Sequence, residues 1–377
     1  MGGTDTAARR LPEIGIFLAR PDRTYYMAKG LRERGFKVAH YNTRGYLDDP
    51  YIKVSGNGAS ALARVLRTDH DVYFTSLSFA PSLSLYANRV LRRKPYVFNY
   101  TGMKWEMFRE RSKGKPFARL LERRLYPFLL DRVLAGASRI VCNSRFLEHA
   151  MATRYPQYRN RLLTIYNGVE VERYASGRRR RISGARDDDL IVVSVTSIDY
   201  EGKAKGVEVM IDAFGCVWAQ CRRVKLVIAA KTSNFQHGER IQGYLGSKPW
   251  RDSVIVLYNH GDIPDLLASG DVFVYATRRG SNDSLPRAVL EAQAAGLPVV
   301  TTDTAGCPEI VQDGITGFVE PGDDTGLAQR ILELIGRPEL RREMGRAAHA
   351  RIRDTFSWDR MADQYGALFL AIAGIRV

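Results

Sequence analysis

The sequence predicts an α/β protein of two doubly wound domains, and three observations carry that prediction. The 377 residues exceed what one hydrophobic core usually organises, and the hydrophobic content of 45% is ordinary for a globular chain. Short β-branched runs alternate with helical periodicity along nearly the whole length. A polar, arginine-rich stretch near the middle interrupts the alternation.

The elements follow in order. EIGIFLA (Glu13 to Ala19), stopped by Arg20-Pro21-Asp22, reads as a strand; the helical pattern ending in LRERGFKVAHY, with Gly35 as its cap, reads as helix and then strand. Further strands are expected in DVYFTSL (Asp71 to Leu77), PYVFNYT (Pro95 to Thr101), SRIVCNS (Ser138 to Ser144) and RLLTIYNGV (Arg161 to Val169). Such alternation implies a mostly parallel sheet covered on both faces. Between Tyr174 and Asp189 the run ASGRRRRISGARDDD lacks apolar periodicity and reads as a linker, its four arginines either solvated or holding an anion. A second series begins with LIVVSVTSI and continues through VKLVIAA, SVIVLYN, DVFVYAT, LPRAVLEAQAAG, LPVVTT and GFVEP. The segment FSWDRMADQYGALFLAIAG is a final helix with Ser357 as N-cap and an apolar stripe through Trp358, Met361, Tyr365, Leu368 and Phe369.

Composition narrows the function classes. No stretch approaches the roughly 20 apolar residues that span a bilayer, so the chain reads as soluble or peripheral. Cys142, Cys216, Cys221 and Cys307 show no tight pairs and no nearby histidines, which argues for reduced packing thiols of a cytoplasmic protein and against a metal site. Residues 1–181 carry 35 Lys and Arg against 15 Asp and Glu, and the rest 22 against 26. Nearly all the excess of +16 therefore sits in the first half, which suits an anionic partner such as a membrane surface. The segment Met103 to Gly136 interleaves basic and apolar residues, with a helical stripe over Phe117, Leu120, Leu121, Leu125, Phe128 and Leu129; it lies on an anionic membrane or packs on the sheet. No nucleic-acid motif is present, and no nucleic-acid partner is expected.

The chemistry concentrates in residues 278–306. A strand runs into a polar loop, and Pro286 stands where the first helical turn begins. Loop N–H groups and a helix start at the carboxyl edge of a parallel sheet suit phosphates and hydroxyls. Asp283 and Glu291 are separated by seven residues and either accept hydrogen bonds from vicinal hydroxyls of one ligand, or serve as cap and exposed helix residue.

With its continuation LEAQAAGLPVVTTDTAGCPEIVQDGITGFVEPGD, this spacing resembles the signature of retaining family 4 glycosyltransferases of GT-B fold. LRERGFKV, SRIVCNS, IYNGVEVERY, KGVEVMIDAF, IPDLLASGDVFVYAT and FSWDRMADQY occur in the family's order. The resemblance implies an acceptor domain over 1–182, a nucleotide-sugar domain over 183–355, and a helix over 356–377 crossing back to the first domain. It implies transfer of a hexose from a nucleoside diphosphate sugar to a glycan, lipid-linked or small-molecule acceptor, in a cleft between the domains, with no metal or other cofactor. Glu291 then binds the donor ribose, Asp283 contacts the transferred sugar, Ser284 and Leu285 present N–H groups, and Lys205 neutralises the diphosphate. The family's arginine before that lysine is replaced by Val195-Thr196-Ser197, leaving Ser197 in the donor site and Lys203 or Lys231 to supply the charge. The family's histidine is absent from Phe98-Asn99-Tyr100-Thr101-Gly102, so Asn99, Tyr100 or Thr101 takes its hydrogen-bonding place. Where relatives carry paired glycines this chain has Arg20, which either supplies charge to the donor or faces water. A protein that has lost both groups and binds an anionic glycan or lipid as a silent scaffold is the alternative function.

Overall fold

The computed structural model describes residues 10–18, 24–42, 52–54, 58–76, 79–102, 127–199, 201–233, 235–277, 284–321 and 324–375. Arg20 and Asp283, both expected in the site, fall outside these residues, as does 103–126.

Two units divide the chain: residues 1–167 with 358–377, and residues 168–357. In the first, seven parallel strands lie in the order β3-β2-β1-β4-β5-β6-β7, from β1 (Glu13–Leu18), β2 (Lys37–Asn42), β3 (Ile52–Val54), β4 (Val72–Ser76), β5 (Tyr96–Tyr100), β6 (Arg139–Cys142) and β7 (Leu162–Thr164). The order reverses at β1, as in doubly wound folds. The helices are α1 (Tyr25–Glu33), α2 (Gly58–Arg67), α3 (Phe79–Arg92), α4 (127–136) and α5 (Arg145–Arg154). One sheet face packs Ile14, Ile16, Phe74 and Val97 on α1, the other packs Tyr73, Phe98 and Ile140 on α4 and α5.

The second unit holds six parallel strands in the order β10-β9-β8-β11-β12-β13: β8 (Leu190–Ser197), β9 (Val224–Lys231), β10 (Val254–Tyr258), β11 (Val272–Tyr275), β12 (Val299–Thr302) and β13 (Gly317–Glu320). Its helices are α6 (Val171–Ala175), α7 (Glu201–Gln220), α8 (Phe235–Gly246), α9 (Ile263–Ala268), α10 (Arg287–Ala294), α11 (Cys307–Ile310), α12 (Asp324–Gly336) and α13 (Pro338–Thr355). The last helix, α14 (Trp358–Ile372), packs Met361, Tyr365 and Phe369 into the first unit's core.

Several expectations are corrected. The boundary lies at 167/168, not 182/183, because the arginine-rich segment is bound to the second unit. Asp265 accepts the Arg178 main-chain N–H at 2.8 Å and pairs with Arg180 at 2.8 Å, and Asp271 pairs with Arg179 at 3.2 Å. The run is thus neither free linker nor wholly solvated charge. In the described part of the basic segment, Leu130, Val133 and Leu134 are buried, while Phe128 is exposed beneath the Arg132 guanidinium, 4.9 Å from its ring centre. Cys142 and Cys307 are buried, but Cys216 is exposed, so packing does not account for all four thiols. Pro286 is the N-cap of α10, one residue ahead of its expected place.

Candidate functional site

The carboxyl edge of the second sheet gathers most of the sequence-predicted groups. Beyond β11, three threonines tie the chain down. The Thr277 N–H donates to Thr302 Oγ1 at 3.2 Å, and the Thr277 carbonyl accepts from Thr302 Oγ1 at 3.1 Å and Thr304 Oγ1 at 3.3 Å. On the far side of residues 278–283, the chain is held by close packing: a Cβ on Gly306 would stand 2.0 Å from the Ser284 carbonyl oxygen. Ser284 and Leu285, both buried, therefore sit in a fixed turn immediately before α10. The first N–H groups of such a helix lack intrahelical partners and are free to meet a ligand.

Glu291, on the second turn of α10, is only 9% exposed. Arg287 Nη2 donates to its Oε1 at 3.3 Å, the Tyr174 hydroxyl of α6 hydrogen-bonds it, and Arg173 adds positive charge. Burial pushes the Glu291 pKa above the ordinary carboxylate value, and the Arg287 charge and Tyr174 hydrogen bond act against that rise. Burial also pushes the Tyr174 pKa up, with the Glu291 charge adding to it, so the phenol is the donor. Glu291 is thus neither an exposed helix residue nor an isolated buried charge, which would be prohibitive.

Lys205 lies in the second turn of α7, where Glu201 Oε1 is 3.3 Å from its Nζ. Its neighbour Gly206 is pressed against the chain just beyond β11: a Cβ there would stand 2.2 Å from the Ala276 carbonyl oxygen. That contact brings Lys205 beside the same chain end as Thr277. Glu201 is shared with Arg240, Oε2 to Nη1 2.7 Å, and Arg240 also reaches Glu208 at 2.8 Å. Hydrogen bonding from Arg240, with Lys205 contributing, lowers the Glu201 pKa. Lys203 is half-buried on the same helix. Ser197 ends β8 and pairs in register with Lys231 of β9, so Lys231, one of the two residues expected to supply charge, stands at this edge. Asp199 joins the two strand ends by accepting from Thr232 Oγ1 at 3.1 Å and the Ser233 N–H at 2.6 Å.

In the first unit, Asn99 and Thr101 stand at the carboxyl end of β5, with Tyr100 between them in the core on the other face. Asn99 is 6% exposed and its Oδ1 has no hydrogen-bond partner among the described residues. Asn99 is in register with Val141, which places Asn143 on the same face, and among the described residues its Oδ1 also has none. Among the described residues no group of three His, Cys, Asp or Glu is arranged to hold a metal ion, and no helix is long and apolar enough to cross a membrane.

Sequence reasoning missed Tyr174, Arg287, Arg240, Asn143 and the threonine cluster. Tyr174 closes the quoted IYNGVEVERY motif, and Arg287 stands four residues before Glu291, so a signal existed for both. Threonines at strand ends read only as β-formers.

Two doubly wound units of parallel strands, with polar groups gathered at the carboxyl edges, define the GT-B class of glycosyltransferase folds. The chain belongs to the family 4 glycosyltransferases: residues 22–173 match the model of Glycosyltransferase Family 4, and residues 189–337 that of Glycosyl transferases group 1. A glycosyltransferase structure from Rickettsia africae ESF-5 superposes with a TM-score of 0.74 at 16% identity, over 96% of this chain and 98% of that one. Anabaena HepE, solved in complex with UDP, gives 0.71 at 17% identity, over 95% and 100%. Both likenesses concern the fold. Among curated sequences, the Staphylococcus aureus capsular polysaccharide biosynthesis glycosyltransferase CapM is 25% identical over 252 residues, covering 63% of this chain and 64% of its own. The chain spans from about half to just under two thirds of the curated relatives it matches first.

Proposed function

We propose that the chain is a retaining hexosyltransferase that takes a hexose from a nucleoside diphosphate sugar, in the cytoplasm, and passes it to a glycan, lipid-linked or small-molecule acceptor of cell-envelope or exopolysaccharide synthesis. The observation that carries this reading is the setting of Glu291, a buried carboxylate oriented by Tyr174 and Arg287 on the helix that follows the clamped Ser284-Leu285 turn. A carboxylate so placed accepts hydrogen bonds from the vicinal hydroxyls of a ribose. The UDP complex of HepE and the capsular role in the name of CapM support the donor and the acceptor class.

In this mechanism the diphosphate gains negative charge as the glycosidic bond breaks, and groups that meet that charge lower the barrier. Lys205 and Lys203 supply positive charge, and the N–H groups of Ser284 and Leu285 supply dipoles. Ser197 lines the donor from β8, and the family resemblance assigns Asp283 to the hexose and Arg20 to the donor's charge. Asn99 and Thr101 offer hydrogen-bonding groups to sugar hydroxyls. The cations do the work a metal would do, so turnover should persist in EDTA; its loss, restored by magnesium, would contradict this assignment.

Calorimetric titration of UDP, GDP and ADP into the wild type and Glu291→Ala tests the site. The expected loss for the preferred nucleotide is tenfold or more, since hydrogen bonds to charged groups are worth about 1.5–3 kcal/mol. Equal affinity would overturn the donor assignment. Incubation with nucleotide sugars and candidate acceptors then reads release of the nucleoside diphosphate. Tight binding with no release from any donor would identify a silent scaffold.

A further inference from the structure

At the amino edge of the first sheet, opposite the edge that holds Asn99 and Thr101, the last turn of α3 leaves Val90 and Leu91 61% and 69% exposed. Basic residues surround them. Asp69 answers two, pairing with Arg92 at 3.1 Å and Lys94 at 2.6 Å. Arg89 donates to the Arg93 carbonyl at 2.7 Å, and Arg139, at the start of β6, donates to the Ser138 carbonyl at 3.0 Å. Among the described residues Arg89, Arg93 and Arg139 have no acidic partner. Just ahead of the adjoining strand β7, Arg161 is likewise bonded to carbonyls, those of Ala135 and Ala137. Arg89 and Arg139 also line a surface pocket of about 380 Å³ whose other wall is Leu368, Ala371 and Ile372 of α14.

We propose that this edge docks on an anionic lipid bilayer. Val90 and Leu91 enter the interface, Arg93 and Arg139 meet phosphate-bearing headgroups, and the pocket takes one headgroup with the first methylenes of its chain. Cations on one wall and aliphatic carbons on the other match an amphiphilic anion better than a free sugar or a soluble phosphate. A second copy is a poor occupant, because symmetric pairing would bring guanidinium groups together, and Asp69 is already paired with Arg92 and Lys94. Two apolar side chains give weak membrane affinity alone, and a basic patch is the second signal that makes such anchoring stable. Docking by this edge leaves the opposite, carboxyl edge of the sheet uncovered. The assignment does not depend on glycosyl transfer.

Flotation of the full-length chain with vesicles of phosphatidylcholine, alone or mixed with phosphatidylglycerol, tests it. The wild type should float with the mixed vesicles only, and less as salt screens the charge. The double variant Arg89→Gln/Arg139→Gln should bind about thirtyfold more weakly, at about 1 kcal/mol per arginine. Val90→Gln/Leu91→Gln should also release the protein without changing its net charge. All four positions are solvent-exposed, so melting temperature and nucleotide affinity should match the wild type and show that the variants fold. Absence of wild-type flotation, or either variant floating like the wild type, would overturn the proposal. A wild-type dimer in sedimentation velocity that Val90→Gln/Leu91→Gln dissolves would assign the patch to a second copy.

Discussion

Glu291 is pulled in two directions, and its balance has a measurable consequence. Burial raises its pKa above 4.5, while Arg287 and Tyr174 oppose the rise. A carboxyl whose pKa is raised by folding binds its proton more tightly in the native chain than in the unfolded one, so its effect on stability becomes less favourable as pH climbs from the unfolded value through the folded one. Glu291→Gln keeps the shape and removes the charge. Its melting temperature should exceed the wild type's near about pH 7, with the difference shrinking toward about pH 4, where the carboxyl is protonated in both states. A variant less stable at neutral pH would mean that the two partners outweigh desolvation. Tyr174→Phe probes the other side: losing one hydrogen bond of about 1 kcal/mol should weaken nucleotide binding about fivefold while leaving the fold intact. Unchanged affinity would show that Tyr174 does not orient the carboxylate for its ligand.

At the scale of elements, the site depends on two glycines, Gly206 and Gly306, that let backbone segments touch. Gly306→Ala would push a carbon to 2.0 Å from the Ser284 carbonyl oxygen, so the turn before α10 must move. Overpacking of this kind costs about 1–3 kcal/mol, and nucleotide affinity should fall with stability. Gly243→Ala in α8 is the control, since its added carbon meets nothing within 4 Å; there the helix should gain about 0.5–1 kcal/mol in thermal unfolding. Equal effects at the two positions would refute the close-packing argument. The same contrast separates what was legible in the sequence from what was not. Strands such as SRIVCNS and DVFVYAT could be read because their periodicity is local. The turn at Ser284-Leu285 was placed by the order of motifs. The docking of the arginine run was not legible, because Asp265 and Asp271 are 85 to 92 residues away and nothing local marks them as partners. Tyr174 was marked by the motif it closes, but its pairing with Glu291 was not, since that partner lies on another element. The short strand β3 was missed too, three residues being too few for a period to show.

For the whole molecule, the decisive fact is that the first unit is made of two distant pieces of chain. Residues up to Asn167 are completed by α14, so the core against β1 and β4 closes only after the entire second unit has been synthesised. Phe369 sits at the centre of that closure. It is fully buried, with its ring centre 6.3 Å from that of Phe74 and 5.9 Å from that of Tyr365. Truncating a buried phenylalanine to alanine typically costs about 3–5 kcal/mol through lost transfer energy and the cavity left behind. Two cores of separate composition should give two calorimetric transitions, and Phe369→Ala should lower only the first unit's. The nucleotide supplies the matching assignment. Held, as proposed, mainly by Glu291 and Lys205, it should raise the second unit's transition more than the first's, because a ligand stabilises the state it binds. Should Phe369→Ala and nucleotide instead move a single common transition in opposite directions, the two units unfold as one cooperative body, and α14 acts as a tie for the whole chain.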